Sequence, residues 1–215
     1  MTKELIGAII LNTGFFAYSI QYIPQVIYNM KHRKRLSNIS VLSQFAIFVS
    51  ILCDMVITIG YGYKWQYAVV AIFYLLGVCI QQLQITFLSR KVPELANLFF
   101  IICFAVAMLS MRSNSTIIYK IAQHIGFNIS IVFWFPQIYK NYKQKRADGY
   151  SLAFILIALA GTCLYLFVLV CTCLYLLSCI LFSWDIIYKT NAISILPVIL
   201  ILLTQKIYYR NYHKN

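Results

Sequence analysis

Proline followed by glutamine occurs twice in closely matching surroundings. The first copy reads Gln21-Tyr22-Ile23-Pro24-Gln25-Val26-Ile27-Tyr28-Asn29 and the second Phe133-Trp134-Phe135-Pro136-Gln137-Ile138-Tyr139-Lys140-Asn141. A basic run follows each, Lys31 to Arg35 or Lys143, Lys145 and Arg146, and then a serine, Ser40 or Ser151. Proline within a helix deletes one backbone hydrogen bond and presses its ring on the carbonyl four residues earlier, here that of Ile20 or Val132. Two such kinks at equivalent points make a pair of hinges. Pro24, Gln25, Pro136 and Gln137 are therefore the candidate gate, and their chemistry is mechanical.

The ionisable groups inside apolar runs are few. Asp54 lies 14 residues beyond Ser40, roughly 21 Å along a helix. A charge at such depth in a bilayer costs at least about 2.5–3.5 kcal/mol and faces a cavity or a partner. Asp54 is thus a candidate proton carrier, and any proton coupling is expected to pass through it. His124 is the other proton-coupling candidate, about two turns into a later run and at similar depth, where a pair with Asp54 across a cavity competes with a purely structural role. Asn128 follows four residues on, on the same helix face. Lys189 could attract a substrate carboxylate or snorkel to water. Asn191, Gln81 and Gln84 can hydrogen-bond a polar solute without charge, although the two glutamines would serve equally as glue between helices. Asn128, Lys189, Asn191, Gln81 and Gln84 are the substrate-binding candidates.

Bond-making chemistry finds no residues to carry it. Nucleophile elbow, zinc-binding His-Glu spacing and phosphate-cradling glycine loop are all missing from the sequence, and five acidic residues in 215 leave little for acid–base catalysis. The seven cysteines show no CxxC spacing, so neither a metal nor another cofactor is expected. A disulfide from Cys171 or Cys173 to Cys179 would require that segment to face an oxidising space.

The elements that must position these residues are transmembrane helices. The chain is 62% apolar and 11% charged, with a mean hydropathy of +0.79, whereas soluble domains average about 45–50% apolar and about 25% charged. Apolar runs near 5–28, 39–60, 67–88, 95–111, 117–139, 151–170 and 189–207 predict seven spans. The stretch 171–188 reads as an apolar outer loop or a helix extension. Thirteen Lys and Arg fall in loops 29–38, 89–94 and 140–149 and in the tail, against five on the other side. That bias places the amino terminus outside and the carboxyl terminus in the cytoplasm. The +13 charge is parcelled between apolar runs, which excludes a nucleic-acid-binding face. The organisation is all-α and 3+1+3: a triple-helix bundle over 1–91, a linker helix over 92–114 and a second bundle over 115–215, parallel about an axis along the membrane normal.

These residues resemble the PQ-loop repeat superfamily, which includes cystinosin, lysosomal cationic amino acid exporters, the SWEETs and the KDEL receptor. The resemblance rests on Tyr22 to Gln25 with Asn29, Trp134 to Gln137 with Asn141, and Gly149-Tyr150-Ser151. It continues through Gly161, Lys189, Ser194 and Gln205 to Tyr208, and is nearest the cystinosin-like branch. It implies an alternating-access transporter of a small solute, an amino acid or similar zwitterion. A SWEET-type sugar facilitator and a non-transporting receptor of the KDEL-receptor kind are the alternatives. The family's usual aspartates are replaced here by Ala153, Ala158 and Pro197, which puts its proton route in doubt. The partners expected are a small-molecule substrate, the lipid bilayer and protons, with oligomerisation left open. A bacterial source would imply the inner membrane and a eukaryotic one an endolysosomal membrane.

Overall fold

The computed structural model describes residues 12–13, 15–63, 65–89, 94–113, 115–173 and 186–212, with side chains described except in 89, 94–96, 164–173, 186–194 and 211–212. All regular structure among these residues is helical. Residues 15–20 lead into α1 (Tyr22–Lys31), a 3₁₀ turn (Arg33–Asn38) and α2 (Val41–Gly60). There follow α3 (Trp65–Ser89), α4 (Glu94–Arg112), α5 (Thr116–Val132), α6 (Phe135–Gln144), α7 (Leu152–Cys173) and α8 (Ile186–Tyr212).

The helices exchange neighbours between the two repeats. Within the first repeat α2 packs on α3 and α1 on α3; within the second α7 packs on α8 and α5 on α8. Across the repeats, α5 lies along α2 and α1 touches α7. Each repeat thus sets its first helix against the second helix of the other. The helix α4 rests on α2.

The solvent preference of the side chains is inverted relative to a protein in water. Gln25, Gln44, Gln81 and Gln137 are all fully enclosed. Phe73, Leu76 and Leu83 on α3, Ile101 and Leu109 on α4, and Ile117 and Ile121 on α5 face outward. Exposed apolar surface of this extent is a liability in water. In a bilayer it is the required exterior, and the helices satisfy their backbone polar groups internally. Among the described residues, Val41–Gly60 and Trp65–Leu88 are long and apolar enough to cross a membrane, with mean hydropathies of 2.0 and 1.9. The chain is a helical integral membrane protein.

Both Pro-Gln helices break just ahead of the proline. Helical hydrogen bonding lapses at Gln21 in the first repeat and at Phe133 and Trp134 in the second. Short i−3 bonds bridge the gaps, from Gln21 N to Tyr18 O and from Gln137 N to Trp134 O. The run read from sequence as one span over 117–139 is therefore two helices, α5 and α6. The reason is local: restarting the helix puts proline in its first turn, where its missing N–H has no partner to lose. Pro197 sits within α8. The helix α7 runs on to Cys173 and α8 begins at Ile186; Cys179, and with it any disulfide to Cys171 or Cys173, lies outside the described residues.

The packing of α1 on α3 depends on Gly77. A Cβ there would stand 2.3 Å from Tyr22 Cγ and 2.5 Å from Tyr22 Cβ, far inside van der Waals contact and against the rigid root of the ring. Gly77→Ala is expected to lower stability by about 1–3 kcal/mol through overpacking, read by thermal unfolding in detergent.

Candidate functional site

The two motif glutamines are exchanged between the repeats. Gln25 Nε2 donates to Gly149 O at 3.0 Å and to Asn29 Oδ1 at 2.7 Å. Its Oε1 accepts from Ser151 N at 2.7 Å. Gln137 repeats the pattern in the other direction. Its Nε2 donates to Asn38 O at 3.0 Å and to Asn141 Oδ1 at 2.8 Å, and its Oε1 accepts from Ser40 N at 2.7 Å. A glutamine amide is suited to this because it carries a donor and an acceptor side by side. It can therefore bridge a carbonyl and an N–H two residues apart. The serine side chains also cap the helices that follow. Ser40 Oγ accepts from Ser43 N at the start of α2, and Ser151 Oγ from Phe154 N at the start of α7, as serine does well at a helix start.

A second tier extends the clasp within each repeat. Asn29 Nδ2 donates to Gln84 Oε1 at 2.8 Å, and Gln84 Nε2 donates to Val26 O. In the second repeat Asn141 Nδ2 donates to Gln205 Oε1 at 3.0 Å, and Gln205 Nε2 to Ile138 O. At the basic end further bonds cross between the repeats. Lys140 Nζ donates to Ser37 O and Ile39 O, both at 2.8 Å, and the Tyr28 hydroxyl donates to Asp148 O at 3.1 Å. Arg35 Nη1 donates to that same hydroxyl at 2.9 Å, which raises the guanidinium pKa above its usual value. Where the loops cross, Gly149 lies so close that a Cβ would be 3.0 Å from Asn38 O. A side chain there would require the Asn38–Ile39 backbone to give way by a few tenths of an ångström.

Above the clasp sits an aromatic layer. Tyr22 packs edge-on to Phe154 at 5.1 Å between ring centroids, Trp134 edge-on to Tyr150 at 5.0 Å, and Tyr150 stacks on Phe154 at 5.2 Å. The Tyr150 hydroxyl is held by the Gln44 amide, with Gln81 beside it. This layer is the floor of a cavity of about 260 Å³ between the repeats, near the small end of the roughly 300–1,000 Å³ common for ligand sites. From Tyr22, Trp134 and Phe154 it extends past Ser50, Asp54 and Tyr74 to Thr58, Gln66 and Tyr67 at the opposite ends of α2 and α3.

The sequence model of the PQ loop repeat matches residues 6–67 and 118–178, more than half of the chain and once in each half. The chain belongs to the PQ-loop repeat family. No curated protein shows significant sequence similarity to it. PQ-loop proteins are membrane transporters and receptors, so a membrane transport-type role follows.

Of the gate, proton-coupling and substrate-binding candidates read from this PQ-loop sequence, Asp54 alone among the described ones lines the cavity. Gln81 is fully enclosed against Tyr150, and Gln84 belongs to the Asn29 tier of the clasp. His124 and Asn128 lie on the exposed face of α5, where Asn128 Nδ2 donates to His124 O at 2.7 Å. The packed face of α5 is the one carrying Tyr119, Ala122, Gly126 and Ser130, so no contact joins His124 to Asp54. Lys189 and Asn191 are on α8, and their side chains lie outside the described residues. Among the described residues no group of three or more His, Cys, Asp or Glu could hold a metal. Sequence reasoning missed the aromatic floor and the crossing itself. The duplicated Pro-Gln was the available signal for the crossing, since two equal motifs can each serve the other.

The glutamines' donor role gives a sharp test. In Gln137→Glu a carboxylate would face Asn38 O and Asn141 Oδ1, both acceptors. A loss of about 1–3 kcal/mol per buried acceptor left unpaired is expected, measured by thermal unfolding, with Gln25→Glu behaving alike.

Proposed function

We propose that this PQ-loop protein is an alternating-access transporter of a small polar solute. The observation that carries the reading is the cavity formed by both repeats, floored by aromatic rings and clasped at the basic end while it reaches toward the opposite end. The seven-span, 3+1+3 arrangement with the basic end in the cytoplasm would make this the state closed to the cytoplasm. Pro24 and Pro136 then act as hinges just below the floor. To open, the protein would break the four glutamine bonds that cross between repeats. At about 0.5–1.5 kcal/mol net each these amount to roughly 2–6 kcal/mol. A solute that binds one state better can supply a bias of that size.

An amino acid or comparable zwitterion would place its ammonium at Asp54. Its carboxylate would need a cation such as Lys189. A SWEET-type sugar facilitator draws support from Ser50, Thr58, Ser130 and Thr162 on the cavity wall. A receptor that grips a peptide carboxylate draws none, since no Lys, Arg or His is among the described lining residues.

Uptake of labelled amines, amino acids and sugars into proteoliposomes is the test. At least one solute is expected to enter. In Pro24→Ala/Pro136→Ala the flux should fall by roughly tenfold or more with binding retained, the effect of about 1.4 kcal/mol on the barrier. Folded protein that moves no solute would overturn the reading.

A further inference from the structure

The cavity wall is uneven in charge and in hydrogen-bonding sense. Its one described carboxylate is Asp54, and among the described residues nothing donates a hydrogen bond to that group or forms an ion pair with it. No cationic side chain stands among the described lining residues. A carboxylate at this depth without a partner is one the structure leaves for something else to neutralise.

The uncharged polar groups lean the same way. Thr162 Oγ donates its hydrogen to Ala158 O at 2.8 Å and Ser130 Oγ donates to Phe127 O at 2.7 Å. With its hydrogen committed, each hydroxyl can only accept from any further group, and at Thr162 the Tyr18 hydroxyl is already one such donor. The Tyr74 hydroxyl donates to Gln21 Oε1. Gln66 Oε1 is buried with no hydrogen-bond partner among the described residues. These groups favour a ligand that donates, while the Ser50 and Thr58 hydroxyls on the same wall can serve either sense.

The rest of the wall is aromatic. Tyr18, Tyr22 and Tyr74 form a continuous side, with ring centroids 5.9 Å apart for Tyr18 and Tyr74 and 5.3 Å for Tyr22 and Tyr74. Trp134 and Phe133 close the far side, 5.3 Å apart. The faces of such rings are negative and attract cations, most of all where water is excluded. A ligand carboxylate would meet no cation among the described lining residues and would face the like charge of Asp54.

We propose that the cavity binds a small organic cation, an amine that carries no carboxylate, with Asp54 as its counter-ion and the tyrosine and tryptophan faces as its cage. Ala158 on the cavity wall, where the resemblance led to an aspartate, leaves Asp54 as the single anionic anchor among the described residues. The proposal rests on the transport reading in one respect, that this cavity is the solute site.

The test uses the full chain in nanodiscs and isothermal titration with pairs that differ by one carboxylate: phenethylamine against phenylalanine, and cadaverine against lysine. The amine of each pair is expected to bind at least about tenfold more tightly. Asp54→Asn should weaken amine binding by about tenfold or more, the range for a hydrogen bond to a charged group, and Asp54→Glu should restore part of it. Tighter or equal binding of the amino acids, no amine binding, or amine binding indifferent to Asp54→Asn would overturn the proposal. If Asp54→Asn does not fold, the pairwise preference of the native protein decides alone. Flux of a neutral or zwitterionic solute without amine binding would sink this proposal and leave the transport reading standing. Amine binding without flux of any solute would do the opposite.

Discussion

Two side-chain amides hold the architecture together, each reaching out of its own repeat into the backbone of the other. Gln25 and Gln137 stand where helices restart after a break, so their positions follow from the prolines beside them. Each amide meets a carbonyl and an N–H at the loop just before the other repeat's second helix. Those backbone groups lie at a helix start, where orphan donors need outside partners. Leaving them unpaired in a low-dielectric setting would be expensive. The exchange therefore orients the repeats and pairs the backbone at both helix starts, beneath the aromatic floor of the cavity.

Everything polar in the interior is arranged around that exchange. Asn29 with Gln84, and Asn141 with Gln205, brace the two amides from behind. Gln44 braces Tyr150, with Gln81 beside it, and Tyr150 in turn supports Trp134 and Phe154 in the floor. Lys140 ties the basic loops across the same boundary. Saturation is incomplete on both sides of the floor. Ser43 Oγ, Gln44 Oε1 and both amide atoms of Gln81 are buried without a hydrogen-bond partner among the described residues, as is Gln66 Oε1 beyond it, where Asp54 lines the cavity.

Much of this was legible from the sequence. The repeated Pro-Gln with its trailing basic run and serine predicted the duplication, and the apolar runs predicted the helices. Asp54 stood out because a carboxylate in an apolar run needs a reason, and it does reach the cavity. Periodicity could not decide which face of a helix looks inward. His124 and Asn128 share a face, but that face of α5 is the exposed one, since Gly126 and Ser130 pack toward α2. Gln81 and Gln84 read as solute-binding because amides in apolar helices suit either a ligand or a neighbour. Here Asn29 occupies Gln84, and Gln81 is enclosed beside Tyr150, off the cavity wall. The crossing of the glutamines was missed for a different reason. The duplicated motif was a signal for it, but the contacts lie 97 to 126 residues apart in sequence, and no local pattern says which groups meet.

Whether the two amides keep the basic ends of the repeats together can be measured directly. Spin labels at Lys34 and Arg146, on the loops that flank the crossing, would report their separation by pulsed electron resonance in nanodiscs. A short, narrow distance distribution is predicted for the otherwise native chain, with a longer population appearing in Gln25→Ala/Gln137→Ala. An unchanged distribution in that double variant would contradict the claim that these side chains hold the two loops together.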